Sequence, residues 1–106
     1  MTTEELEVLL SGAQETPQLD FKASMPWEVK KFVKDILAMA NNQDGGAIVI
    51  GVQDKDFIRQ GITLKHLDSF HPDTMRDQMG EYADPFVEFG VSFPEDKQQY
   101  KYVVIE

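Results

Sequence analysis

Ala47-Ile48-Val49-Ile50-Gly51 decides the fold of this 106-residue chain. An unbroken apolar run biased toward β-branched side chains predicts a central strand buried on both faces. Gly51 at its end predicts close approach of another backbone or a ligand. Just upstream, Asn41-Asn42-Gln43-Asp44-Gly45-Gly46 is turn chemistry. It stops a helix whose apolar stripe is Val29, Phe32, Val33, Ile36, Leu37 and Ala40. Ser24 and Pro26 signal the start of that helix. Leu19 to Lys22 reads as a short strand with Leu19 and Phe21 toward one face. Thr3 caps a first short helix with Leu6, Leu9 and Leu10 as its apolar side, and Ser11-Gly12 ends it.

Downstream of Gly51, Gln53 to Gly61 reads as a loop, and Leu64, Leu67 and Phe70 predict a turn of helix. Pro72 opens another helix carrying Met75 and Met79, with Gly80 as its cap. Val87, Phe89, Val91 and Phe93 alternate with polar or small residues, as a strand with one buried face does. Pro94-Glu95-Asp96-Lys97 is a turn, and Tyr100 to Ile105 is the returning strand of a hairpin. A helix followed by β-α-β-α-β-β predicts an α+β sandwich with helices on one side of a mixed sheet.

Composition narrows the class of protein. Hydrophobic residues are 42% and charged residues 27%, ordinary for one globular domain. No apolar run approaches the roughly 20 residues that span a bilayer, and the acidic N-terminus has no signal-peptide core. The absence of cysteine excludes a disulfide scaffold, a zinc–cysteine site and a cysteine nucleophile. These features predict a cytoplasmic protein with no membrane partner. The net charge of −9 argues against a strong nonspecific grip on nucleic acid. Yet Lys22, Lys30, Lys31 and Lys34 lie close together, with only Glu28 as an acid between Lys22 and Lys34.

Three segments together resemble the Schlafen-type Alba-like (AlbA-2) domain, a family formerly described as a divergent ATPase. Glu15-Thr16-Pro17-Gln18-Leu19-Asp20-Phe21-Lys22 is similar to its first-strand motif, with Asp20 in place of the commoner glutamate. Ala38-Met39-Ala40-Asn41-Asn42-Gln43-Asp44-Gly45-Gly46 resembles its A-F-A-N-x-x-G-G helix end, with Met39 for phenylalanine and one extra residue before the glycines. Ile48-Val49-Ile50-Gly51-Val52-Gln53-Asp54 is similar to its I-G-V-x-D strand end, and Gly61 falls at its V-x-G turn. The resemblance runs over about residues 13–106 and implies an Alba-like βαβαββ mixed sheet, preceded by a short helix, in a single domain of residues 1–106. The chain ends inside an apolar strand and the family continues further, so the sequence reads as the N-terminal fragment of a longer protein.

The resemblance also implies chemistry. In nuclease members of the family, three acids at these motif positions are associated with metal-dependent RNA cleavage. Here those roles, catalytic and metal-binding, fall on Glu15, Asp20 and Asp54. Three carboxylates at the ends of neighbouring strands suit Mg²⁺ or Mn²⁺, because hard cations take oxygen ligands. Acids at strand ends are more often solvated or cap a turn. Lys22 is placed to contact a phosphate or to pair with Asp20 or Glu15. Lys30, Lys31 and Lys34 can track a nucleic-acid backbone or form a solvated helix face. Gly45-Gly46 suits a sharp turn better than a phosphate cradle, and both P-loop and G-x-G-x-x-G patterns are missing, so nothing points to ATP. His66 and His71 are poorly spaced for a shared metal. Trp27 suits the core edge better than base stacking, and Met75 and Met79 are core filler.

Three functional classes follow. The first is a nucleic-acid-binding module, DNA or RNA, of a Schlafen/Alba-like transcriptional regulator, with a homodimer as its expected assembly. The second is a divalent-metal-dependent endoribonuclease. The third is a protein-interaction domain without nucleic-acid binding. Family resemblance, the acid triad and the net charge favour them respectively, and the sequence is read as the first.

Overall fold

A computed structural model describes residues 1–11, 18–53, 55–83 and 87–106. Ten elements follow in chain order. They are α1 (Thr3–Ser11), β1 (Leu19–Lys22), α2 (Val29–Ala40), β2 (Ala47–Ile50), β3 (Val52–Gln53), β4 (Ile58–Arg59), α3 (Leu64–Leu67), α4 (Pro72–Met79), β5 (Val91–Ser92) and β6 (Val103–Ile105). The main sheet runs β1-β2-β6-β5. β1 pairs parallel with β2, Leu19 opposite Ala47 and Lys22 opposite Ile50. β6 is antiparallel to both β2 and β5. The expected α+β mixed sheet is therefore present, with β2 central and buried along its whole length.

Alternation along β2 divides the core in two. Ile48 and Ile50 pack with Phe32, Ile36, Met39, Phe70, Met75 and Met79, on the face covered by α2 and α4. Val49 and Ala47 point the other way, toward Leu6, Leu10, Phe21, Val104 and Tyr102. Helices thus cover both faces, not one, because α1 spends its leucines on the second face. A sheet whose central strands are apolar throughout needs cover on each side.

Local chemistry explains the element ends, and corrects several expected ones. Thr2, not Thr3, caps α1. Its hydroxyl accepts the Glu5 N–H at 3.1 Å while Glu5 Oε1 accepts the Thr2 N–H at 3.0 Å, a reciprocal capping box. α2 begins at Val29 after Glu28, later than Ser24-Pro26 suggests. Ser24 is instead spent on tertiary bonds, accepting the Thr63 N–H at 3.0 Å and meeting His66 Nδ1 at 2.8 Å. The Gln53–Gly61 loop contains a hairpin, β3 with β4, too short for periodicity to reveal. Regular β5 is only Val91–Ser92, although Gly90 and Glu106 exchange both backbone bonds. Phe93 is exposed, where the alternation placed it on the buried face.

Gly51 meets its expectation. Its φ is +127°, and an added Cβ would lie 2.7 Å from the Tyr102 ring and 3.0 Å from the Gly61 carbonyl carbon. Its carbonyl accepts the N–H groups of both Gln60 and Gly61. The close neighbours are the Tyr102 ring and the Gly61 backbone. Among the described residues no helix is long and apolar enough to cross a membrane.

Candidate nucleic-acid and metal site

The even-numbered residues of β1 face α2. Asp20 and Lys22 therefore stand side by side, and α2 brings Asp35 over them. Lys22 Nζ lies 2.7 Å from Asp35 Oδ2 and 3.2 Å from Asp20 Oδ2. It also sits 5.7 Å from the Phe32 ring centroid, within cation–π range. Burial pulls the Lys22 pKa down. The hydrogen bond to Asp35 and the field of Asp20 outweigh it, and the net shift is above the ordinary lysine value. Asp20 Oδ2 is buried, and the Lys22 ammonium is its ion-pair partner.

The four lysines do not form one patch. Lys22 is held at the buried edge of α2 by two carboxylates. Lys31 pairs with Glu28 at 3.3 Å. Lys30 and Lys34 stand exposed, one turn apart on the solvent flank of α2, opposite Phe32 and Ile36. Asp35 escaped the sequence reading. The available signal was its position as the lone acid between Val29 and Ala40, next to the apolar stripe.

Of the three acids implied by resemblance, Glu15 and Asp54 lie outside the described residues. β1, which carries Asp20, and β2 are neighbours in parallel register. Among the described residues no three Asp, Glu or His side chains converge on a metal position. The described part of the site already contains a cation, the Lys22 ammonium between Asp20 and Asp35. A divalent ion there would have to displace it, so no reaction step is derived through a metal.

The other residues considered for chemistry are committed to structure. Trp27 stacks on Phe32 with centroids 4.9 Å apart and donates its indole N–H to Gln78 at 2.7 Å. Met75 and Met79 are fully buried. Gly46 packs against Met39 and the Gln18 carbonyl, where a Cβ would not fit. His66 meets Ser24, and His71 precedes α4 without capping it through its side chain.

A second ionic cluster, on the α1 face, had no sequence signal at all. Glu7 takes Arg59 in a fork, both contacts at 3.0 Å, and accepts the Lys97 N–H at 2.9 Å. Asp96, buried, accepts the Tyr102 hydroxyl at 2.8 Å and the N–H groups of Gln98 and Tyr100. Burial, then the hydrogen bond to Asp96, pushes the Tyr102 hydroxyl well above its usual pKa. This cluster fastens α1, β4 and the turn before β6 together.

The comparisons agree with this fold. The family described as Schlafen, AlbA_2 matches residues 15–105, and the chain belongs to that family. No curated protein sequence matches. The crystal structure of the DIP2311 protein from Corynebacterium diphtheriae is similar, with a TM-score of 0.62 at 20% identity. The likeness covers 96% of this chain and 24% of that one, so the chain spans about a quarter of its length. At that identity the likeness speaks for the fold alone.

Proposed function

We propose that this chain is a nucleic-acid-binding domain, for DNA or RNA, of a Schlafen/AlbA-like regulator. The observation that supports the reading is the solvent flank of α2, where Lys30 and Lys34 stand exposed beside Lys31 and, among the described residues, have no ion-pair partner. Such a row contacts phosphates and carries no base readout, so binding is weak and indifferent to sequence. The body's charge of −9 opposes it further. With three or four phosphate contacts, affinity falls on the order of a hundredfold between 50 and 200 mM salt. Titration of labelled RNA and DNA at low salt tests this. Lys30→Glu with Lys34→Glu is expected to abolish binding without changing the melting temperature. No binding at low salt, or full binding by that double variant, would leave the protein-interaction reading.

A second reading has one observation in its favour. Asp20 Oδ2 is buried without a well-formed hydrogen bond, on a strand adjacent to the one leading toward Asp54. With Glu15 and Asp54 it would attract Mn²⁺ or Mg²⁺ weakly, leaving coordination positions to water or phosphate. A Mn²⁺ titration is expected to raise the melting temperature of the wild type but not of Asp54→Asn. Equal shifts in both proteins would sink the metal site. A ribonuclease would further require cleavage of a structured RNA that is lost in the Glu15, Asp20 and Asp54 variants.

A further inference from the structure

β5 is an outer strand of the main sheet, and its register shows which way its backbone points. Gly90 and Glu106 exchange both backbone bonds, and the Tyr102 N–H donates to the Pro94 carbonyl. Positions 90, 92 and 94 are therefore bonded to β6, and positions 91 and 93 are not. The N–H and C=O groups of Val91 and Phe93 point away from the sheet, and among the described residues nothing pairs with them. Phe93 is 44% exposed beside them.

Proteins guard such edges with inward charge, lysine or cover. The opposite edge, β1, carries Lys22. From Phe89 to Pro94 the β5 edge carries no charge at all. Its surroundings are acidic. Exposed Glu88, Glu95 and Glu106 bracket it; Lys101 stands opposite Glu95, Lys97 follows in the same turn, and Arg76 pairs with Asp73.

We propose that the β5 edge takes up an extended basic peptide as a fifth strand of the β1-β2-β6-β5 sheet. Backbone bonds to Val91 and Phe93 supply the pairing, an apolar peptide side chain meets Phe93, and lysine or arginine at alternate positions meets the bracketing glutamates. Charge decides the occupant. A second copy would bring another −9 body and the same glutamates to the same edge.

The probe is a labelled peptide of about seven residues alternating lysine and valine, long enough at ~3.3 Å per residue to span β5 and its flanks. Fluorescence anisotropy at low salt is expected to show saturable binding. Methylating alternate backbone nitrogens on the pairing edge keeps the charge and removes the donors, and is expected to weaken binding at least tenfold. Val91→Pro removes the outward N–H, at a position where an edge strand accepts proline, together with a partly buried side chain packed on the core. It is expected to weaken binding similarly while keeping the fold. Phe93→Lys, at an exposed site, guards the edge with a charge and is the second variant should the proline unfold the domain. Equal affinity for the methylated peptide, or undiminished binding by a folded edge variant, overturns the proposal. So does a dimer in sedimentation that the edge variants dissociate and the peptide does not displace, because the occupant is then a second copy.

Discussion

The two faces of the central sheet each carry a cluster of opposite charges, and the clusters are built differently. On the α1 face, Asp96 is buried and accepts two backbone N–H groups and a tyrosine hydroxyl, while Glu7 takes a guanidinium and a further backbone N–H. On the α2 face, Asp20, Lys22 and Asp35 are joined only by side chains, which keep 31%, 20% and 37% of their exposure. Burial of Asp96 and its backbone bonds make the first cluster a fastener, since losing that carboxylate strands the buried Tyr102 hydroxyl. Water reaches the Asp35 carboxylate of the second, so that ion pair remains exchangeable. A binding site needs the second kind of chemistry.

The largest expected effect separates the clusters by stability. Asp96→Ala leaves the Tyr102 hydroxyl and the N–H groups of Gln98 and Tyr100 without their acceptor, at a cost of about 3 kcal/mol. Asp35→Ala removes one half-exposed ion pair and costs less than about 1 kcal/mol. Denaturant unfolding measures both. Equal losses would erase the distinction between fastener and exchangeable pair.

The same contrast explains what was legible in the sequence. The α2 face could be read because its signals are local. The stripe from Val29 to Ala40 has helical period, Ala47 to Ile50 is unbroken, and Asp20 and Lys22 sit in one short motif. The α1 face depends on long-range meetings. Glu7 and Arg59 are 52 residues apart, and Glu7 and Lys97 are 90 apart. No spacing rule reports such pairs. The β3–β4 hairpin escaped because two-residue strands have no measurable alternation. Phe93 misled because its alternation is real while its position lies past the cover that α2 and α4 give to Val103 and Ile105.

Alkali should act on both clusters in one direction, but more strongly on the buried one. Burial and Asp96 raise the Tyr102 pKa above its ordinary 10.0, and Asp35 with Asp20 raises that of Lys22 above 10.5. In each case the folded state holds its proton more tightly than the unfolded chain. The stabilisation is complete below about pH 10 and is lost as pH rises through the folded-state values. Unfolding free energy should fall above pH 10 by up to about 1.4 kcal/mol per pH unit for each such group. Tyr102→Phe should flatten that slope measurably. A Phe variant with the wild-type slope between pH 10 and 12 would remove Tyr102 from the account. Acid acts through Glu7, whose pKa is lowered from 4.5 first by Arg59 and then by the Lys97 N–H. That contribution is present above pH 4.5 and is lost as pH falls through the folded-state value.

The smallest stability effect carries the most functional information. Lys22→Gln removes the ammonium between Asp20 and Asp35 and should change stability by no more than about 1 kcal/mol, since the pair is partly solvated. Its ligand effects differ between the two proposed functions. If Lys22 contacts phosphate, the substitution should weaken nucleic-acid binding and lower the salt slope by about 1. If Lys22 instead occupies the place of a divalent ion, the substitution should tighten Mn²⁺ binding about thirtyfold. Two carboxylates then lose a competing charge worth roughly 1 kcal/mol each near water's dielectric. Calorimetric titration with Mn²⁺ and anisotropy with labelled RNA, on the same protein, separate these outcomes. An unchanged Mn²⁺ affinity with a reduced salt slope would assign Lys22 to the nucleic acid. Tighter Mn²⁺ binding with an unchanged slope would assign it to the acids and leave phosphate contact to Lys30 and Lys34. No change in either would make Asp20, Lys22 and Asp35 a structural pairing, as Glu7 and Arg59 are on the other face.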